Sequence, residues 1–179
     1  MSDDLAEIYL REIRFRFAAQ KQLADEALAQ VARPLWLARL SPDENSMAII
    51  MKHVGGNLEA RWVNPLGSDG EESRDRDAEF EQTPEETAES ALEAWDRGWH
   101  TALRTLHALA PSDLTRSVSI RGESLLLIEA LGRNLAHTAQ HVGQLVLLAR
   151  HFAAANWHTL SVPRGQSRGF RPPRATRAT

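Results

Sequence analysis

The chain has no cysteine among its 179 residues. Disulfides, thiolate metal ligands and a cysteine nucleophile are therefore excluded, and any thiol chemistry must use a thiol brought in from outside. Lysine is scarce, with Lys21 and Lys52 standing against many arginines. No apolar run approaches the roughly 20 residues that cross a bilayer. Basic charge is not in excess either: the formal net charge is −3, which gives no global reason to expect a nucleic-acid partner. The opening "MSDDLAEIYLREIRFRF" lacks the basic n-region and cleavage site of an export signal. The expectation is a cytoplasmic protein without membrane or specific nucleic-acid partners. With 42% hydrophobic and 25% charged residues, a chain of this length can bury one proper core.

What is present is helical periodicity. Residues 3 to 31 place Leu5, Ile8, Tyr9, Ile13, Phe17, Leu23, Ala27 and Val31 near one face, with Ser2 as the cap. "ARPLWLARLSPDENS" breaks the pattern, and Ser46 caps a second helix over 47 to 63. Gly55 and Gly56 cost that helix roughly 1 kcal/mol each relative to alanine, so a close neighbour is expected beside them. Residues 64 to 82 are polar and acidic and read as a long surface loop, a length usually reserved for lids or disorder. "TPEE" then forms a capping box, with Thr83 capping, Pro84 at the first helical position and Glu86 reaching back. That third helix runs to about Leu109 with Trp95 and Trp99 in the core. "LTRSVSIRGES" makes a short extended excursion, and Ser124 opens a last helix to about Ala154. The fold class is all-α: an antiparallel four-helix bundle over 1–160, followed by an Arg/Pro-rich tail at 161–179, partly disordered.

The last helix carries "NLAHTAQHVGQL". Asn134, His137, His141 and Gln144 stack on one face beside the apolar stripe. Histidines four apart on a helix reach one ion, at Zn–N distances near ~2.0–2.1 Å. Thr138 stands where a zinc protease has its glutamate, so that mechanism lacks its base. His53, one residue off the core stripe of the second helix, is the candidate third ligand, with Asn57 one turn further on. His100, His107, His151 and His158 lie on flanks or beyond the centre. The spacing also allows a plainer reading in which each histidine is simply hydrogen-bonded. In "RDRDAEF", Arg76, Asp77 and Glu79 are candidate acid/base or substrate-binding groups, against the alternative of a solvated loop. "SVPRGQS" either cradles an anion with Arg164 or caps the end of the bundle.

"NSMAIIMKHVGGNLEARW" (45–62), "DGEESRDRDAEF" (69–80), "LAHTAQHVGQLVLLAR" (135–150) and "WHTLSVPRGQS" (157–167), in this order, resemble the DinB-like (YfiT-like) superfamily of metal-binding four-helix bundles, in a branch of uncharacterised bacterial proteins. The resemblance covers nearly the whole chain. It implies one metal-ligating histidine from the second helix and two from the fourth, which fall on His53, His137 and His141. It also implies zinc or nickel, with water completing the shell. Characterised relatives include thiol S-transferases and isomerases using low-molecular-weight thiols, and others are described as metal-dependent hydrolases. Many relatives carry an aromatic inside the HxxxH block, where this chain has Ala136 and Thr138. The function expected is a metal-activated thiolate or hydroxide attacking a small-molecule electrophile, with Asn57 and Gln144 orienting ligands or substrate. A homodimer is expected, although no stripe singles out an interface. The alternative is a non-catalytic metal-binding or protein-interaction bundle, connected with stress.

Overall fold

In a computed structural model, residues 3–72 and 74–170 are described. Four long helices carry the chain: α1 (Asp3–Leu28), α2 (Met47–Trp62), α3 (Ala88–Ala108) and α4 (Leu127–Ala153). Strands β1 (Ser117–Ile120) and β2 (Glu123–Leu126) form an antiparallel hairpin in front of α4. The fold is thus mostly helical with a small sheet. Among the described residues no helix is long and apolar enough to cross a membrane.

The expected alternation of helix directions is only half present. α1 and α3 run antiparallel, as Arg14 bonding Leu106 and Arg33 pairing with Glu89 require. α2 and α4 also run antiparallel, with His53 beside His137 and Trp62 beside Asn134. α2 and α3 are parallel: Lys52 pairs with Glu86, Gly55 abuts Ala94, and Thr105 donates to the Trp62 carbonyl at 2.7 Å. α1 and α4 are parallel too, tied by Tyr9 to Ile128 near their starts and by Gln30 to His158 beyond their ends. The physical reason is the connection. A helix of 16 residues is about 24 Å long, and the segment 63–87 is long enough to carry the chain back along it.

Local chemistry explains most boundaries. Ser46 caps α2 as expected, accepting from the Ile49 amide at 3.3 Å. α3 is capped by Thr87 rather than Thr83: Ser90 N–H donates to Thr87 Oγ1 and Thr87 N–H to Ser90 Oγ, both at 3.0 Å. Residues 83–86 form a turn instead, in which the Glu86 N–H donates to the Thr83 carbonyl at 3.1 Å while the Glu86 carboxylate pairs with Lys52 at 3.0 Å rather than with the Thr83 amide. Ser124 does not open α4. It sits in β2 opposite Ser119, and Leu126 precedes the helix with its amide on Glu129. The first turn of α1 is also rotated from the expected stripe. Ala6 and Leu10 are buried, whereas Leu5 and Ile8 are exposed. The Ser2 cap and the tail arginines Arg171, Arg174 and Arg177 lie outside the described residues.

The core holds Phe17, Trp62, Trp95 and Trp99 fully buried. Phe17 meets Trp62 and Trp99 edge-on at 6.3 and 6.4 Å, the geometry aromatic quadrupoles favour. Gly132 in α4 contrasts with the glycines of α2, since a Cβ added there meets nothing within 4 Å. Gly132→Ala therefore gains helix propensity without a clash. The expected stabilisation is about 1 kcal/mol, or roughly 2–4 °C by thermal denaturation.

Candidate metal centre

Three imidazoles converge between α2 and α4. Nitrogens of His53, His137 and His141 lie within 4.8 Å of one another. His53 Nε2 stands 3.2 Å from His137 Nε2. Two nitrogens on one tetrahedral zinc ion stand about 3.3 Å apart, so this spacing fits a shared ion. The other ring nitrogens select which lone pairs face inward. His53 Nδ1 donates to Glu79 Oε2 at 2.8 Å, and His141 Nδ1 donates to Gln144 Oε1 at 2.8 Å. Both rings are thereby left with Nε2 as a lone pair. A donor set of three imidazoles with two backed at Nδ1 fits a divalent ion of the zinc or nickel kind. His137 differs: among the described residues its buried Nδ1 has no hydrogen-bond partner.

The electrostatics favour the neutral form of two of the rings. Burial, and then the charges of His141, His53, Arg74 and Arg76, push His137 down to about 4. Burial also lowers His141, against an upward pull from its bond with Gln144. Near neutral pH these two imidazoles are therefore uncharged.

The segment between α2 and α3 supplies the support. Glu79 is 8% exposed and accepts two bonds from Arg74, from Nε to Oε1 at 2.7 Å and from Nη2 to Oε2 at 2.6 Å. Burial alone would raise the Glu79 carboxyl; the hydrogen bonds from His53 and Arg74 outweigh it and hold the group below its ordinary range. Its carboxylate occupies the space a Cβ on Gly56 would need, while the Ala94 carbonyl occupies that of Gly55. The glycine pair thus has the close neighbours its cost implied, one on each side. Phe80 covers the His53 ring at 4.4 Å between centroids.

The candidates from the acidic block separate. Glu79 joins the histidines as a hydrogen-bond acceptor, and Arg76 lies over Phe80 at 5.2 Å. Asp77 points to solvent with its side chain 97% exposed, so the structure brings it to nothing that reacts. Gln144 Oε1 accepts from His141 Nδ1 at 2.8 Å. The Asn57 side chain accepts from Asn134, whose Oδ1 accepts from Trp62 Nε1, both at 2.8 Å. His100, His107, His151 and His158 are exposed and apart from the trio. Residues near "SVPRGQS" lie at the end of the helices, where His158 is tied to Gln30.

Sequence reasoning missed Arg74, Arg61 and Glu71. Glu71 receives Arg61 at 2.8 Å and Arg74 and Arg121 at 3.2 Å each. A faint signal existed in the alternating charges of "EESRDRDAEF", but it does not say which pairs form. Beside the trio lies a cleft of about 590 Å³, including its open mouth. His53, His137, Asn57 and Asn134 form part of its wall, and five arginines form much of the rest.

A family model described as "Protein of unknown function (DUF1572)" matches residues 4–166. No curated protein matches the chain.

Proposed function

The chain belongs to the DUF1572 family, and from its own geometry we propose that it is a metal-dependent enzyme acting on a small molecule. His53, His137 and His141 hold a divalent ion, zinc or nickel, between α2 and α4. The observation that carries this reading is the convergence of three imidazole nitrogens within 4.8 Å, two of them with Nδ1 already bonded away from the centre. The long helices then form a bundle of the DinB-like (YfiT-like) kind, one unit over 1–160, with the tail beyond it.

Three neutral imidazoles would hold such an ion without neutralising its +2 charge, and when bound it would supply Lewis-acid chemistry, lowering the pKa of a bound water towards ~7 or stabilising a thiolate. The chain's own residues do the positioning. Glu79 and Gln144 hold the His53 and His141 rings in one tautomer and one orientation. Arg74 keeps Glu79 ionised, which makes the Glu79–His53 bond charge-assisted and stronger than a neutral one. Phe80 covers His53 and excludes water from that side. The adjoining cleft receives the substrate, and a low-molecular-weight thiol fits there as co-substrate because the chain has no thiol of its own. The reaction class is thiol transfer or hydrolysis, in a cytoplasmic homodimer.

Metal content measured by mass spectrometry on tag-free protein tests the reading. Near-stoichiometric zinc or nickel is expected in the wild type and none in His137→Ala/His141→Ala. Failure of both proteins to take up metal, even after reconstitution, overturns the assignment and leaves a non-catalytic interaction module.

A further inference from the structure

The arginines around the cleft fall into two groups. Arg61 and Arg74 are buried and committed to internal carboxylates, with side chains 8% and 5% exposed. Arg76, Arg121 and Arg133 are different: their side chains are 49%, 54% and 53% exposed, and all three line the same cleft as His53 and His137. Their partners hold them loosely. Arg76 is 4.0 Å from a fully solvated Asp77, and Arg133 pairs with Glu123, itself 61% exposed. Exposed pairs of this kind contribute little and exchange readily for another anion. Arg121 donates Nε and Nη2 to Glu71 Oε2, both at 3.2 Å, which leaves donors of its five for a ligand.

Arg121 carries a second, independent mark. It and Gly122 form the turn between β1 and β2, and both have positive φ, 54° and 76°. A two-residue turn of this hand favours Asn, Asp or Gly at its first position, because a longer side chain crowds the backbone there. An arginine kept in that conformation is a strained choice for a turn alone. The hairpin is held over the cleft by Asp69, which accepts from Gly122 N–H and Ser119 Oγ at 3.0 Å each. The strained residue is thus presented to the cavity by a braced support. On the opposite side Arg76 rests on Phe80, which in turn covers His53, so the cation sits one ring away from the histidines.

We propose that Arg76, Arg121 and Arg133 form an anion-binding rim over the histidine cluster, and that the substrate of this site carries a carboxylate or phosphate group. The rim receives that anionic end and leaves the remainder of the molecule facing His53 and His137; this deepens the metal reading and rests on it for the position of the reacting atom. The planar forks of three arginines suit either oxyanion, and guanidinium grips both through paired N–H donors.

Calorimetric titration of inorganic phosphate and of succinate into the full chain tests this, with zinc-loaded and metal-stripped samples side by side. Wild-type protein is expected to bind at least one of the two, phosphate marking a phosphoryl ligand and succinate a carboxylate. Arg121→Asn is expected to weaken that binding at least tenfold while its melting temperature holds or rises, because asparagine suits the turn better. Arg133→Gln is expected to weaken it as well. Arg97→Gln, a distant surface change of equal charge, is expected to stay within twofold. The proposal is overturned if neither anion binds the wild type, if Arg121→Asn binds like wild type, or if Arg97→Gln loses as much. Phosphate also binds zinc directly, so the metal-stripped arm isolates the rim. Binding that survives there with no stoichiometric metal in the loaded sample would sink the metal reading and leave the rim standing.

Discussion

Glu79→Ala is expected to damage both stability and metal binding more than any other single change outside the three histidines. The carboxylate accepts from His53 and twice from Arg74, and it is nearly buried. Removing one member of a buried pair leaves the other charge uncompensated, at about 3–5 kcal/mol. Glu71 still accepts from Arg74 at 3.2 Å, so the lower end, about 3 kcal/mol, is expected. In a chain of this size that is roughly 6–12 °C of melting temperature. His53 simultaneously loses the acceptor that sets its tautomer, and the loss of such a partner typically weakens metal binding by roughly 10–100-fold. Glu79→Gln keeps the shape and separates the two effects. It is expected to lose less stability than Glu79→Ala, because the amide oxygen still accepts a hydrogen bond, and still to lose affinity for zinc, read by competition with a chromophoric chelator.

The sign of the pH dependence follows from the same group. Glu79 is held below its ordinary value of 4.5 in the folded state. Its contribution is therefore fully present above about pH 4.5, and it fades as pH falls through the folded value. Denaturant titrations of wild type at stepped pH should show stability dropping in that acid window. The Glu79→Gln variant should show a smaller drop. Equal slopes in the two proteins would mean that the carboxylate is not charged in the folded state.

The second large effect is expected at the crossing of α2 and α3. A Cβ on Gly98 would run into the Gly55 backbone, and a Cβ on Gly55 into the Ala94 carbonyl. Both obstacles are main chain, so no side-chain rotation relieves them. Gly98→Ala gains about 1 kcal/mol of helix propensity, yet overpacking a rigid contact costs typically 1–3 kcal/mol, and backbone on backbone belongs at the top of that range. The net expectation is destabilisation of about 2 kcal/mol, or roughly 4–8 °C. Gly98→Val should lose more. Pushing α2 away from α3 also moves His53 relative to α4, so zinc affinity should fall with stability. Calorimetric melting of Gly98→Ala beside Gly132→Ala gives a direct contrast, one falling and the other rising. A Gly98→Ala protein as stable as wild type would show that the helices have room to part.

The sequence alone determined the number and approximate span of the helices, the side-by-side placement of His137 and His141, and the candidacy of His53. These features are local. Helical period places residues three and four apart on one face whatever the rest of the chain does, and paired glycines in a helix imply a close neighbour without naming it. The hairpin was visible as an extended excursion, though Ser124 read as a helix cap and proved to belong to β2.

What only the tertiary structure decided is long in range. The parallel run of α2 with α3 depends on where the connecting segment lies, and an acidic loop sequence is compatible with either direction. The same segment reads as solvated when its charges are matched to near neighbours. In the fold it becomes a brace, because Glu79 meets His53 across 26 positions and Glu71 meets Arg121 across 50. Charge pairing has no period and no register. It is set by which groups are buried together, since a buried carboxylate must find a cation or a donor whereas an exposed one need not. For that reason the histidines and Gln144, which share one helix face or lie near a core stripe, could be picked out from spacing. Glu79 stood out only as one charge of an acidic block, and its bracing partners Arg74, Arg61 and Glu71 not at all.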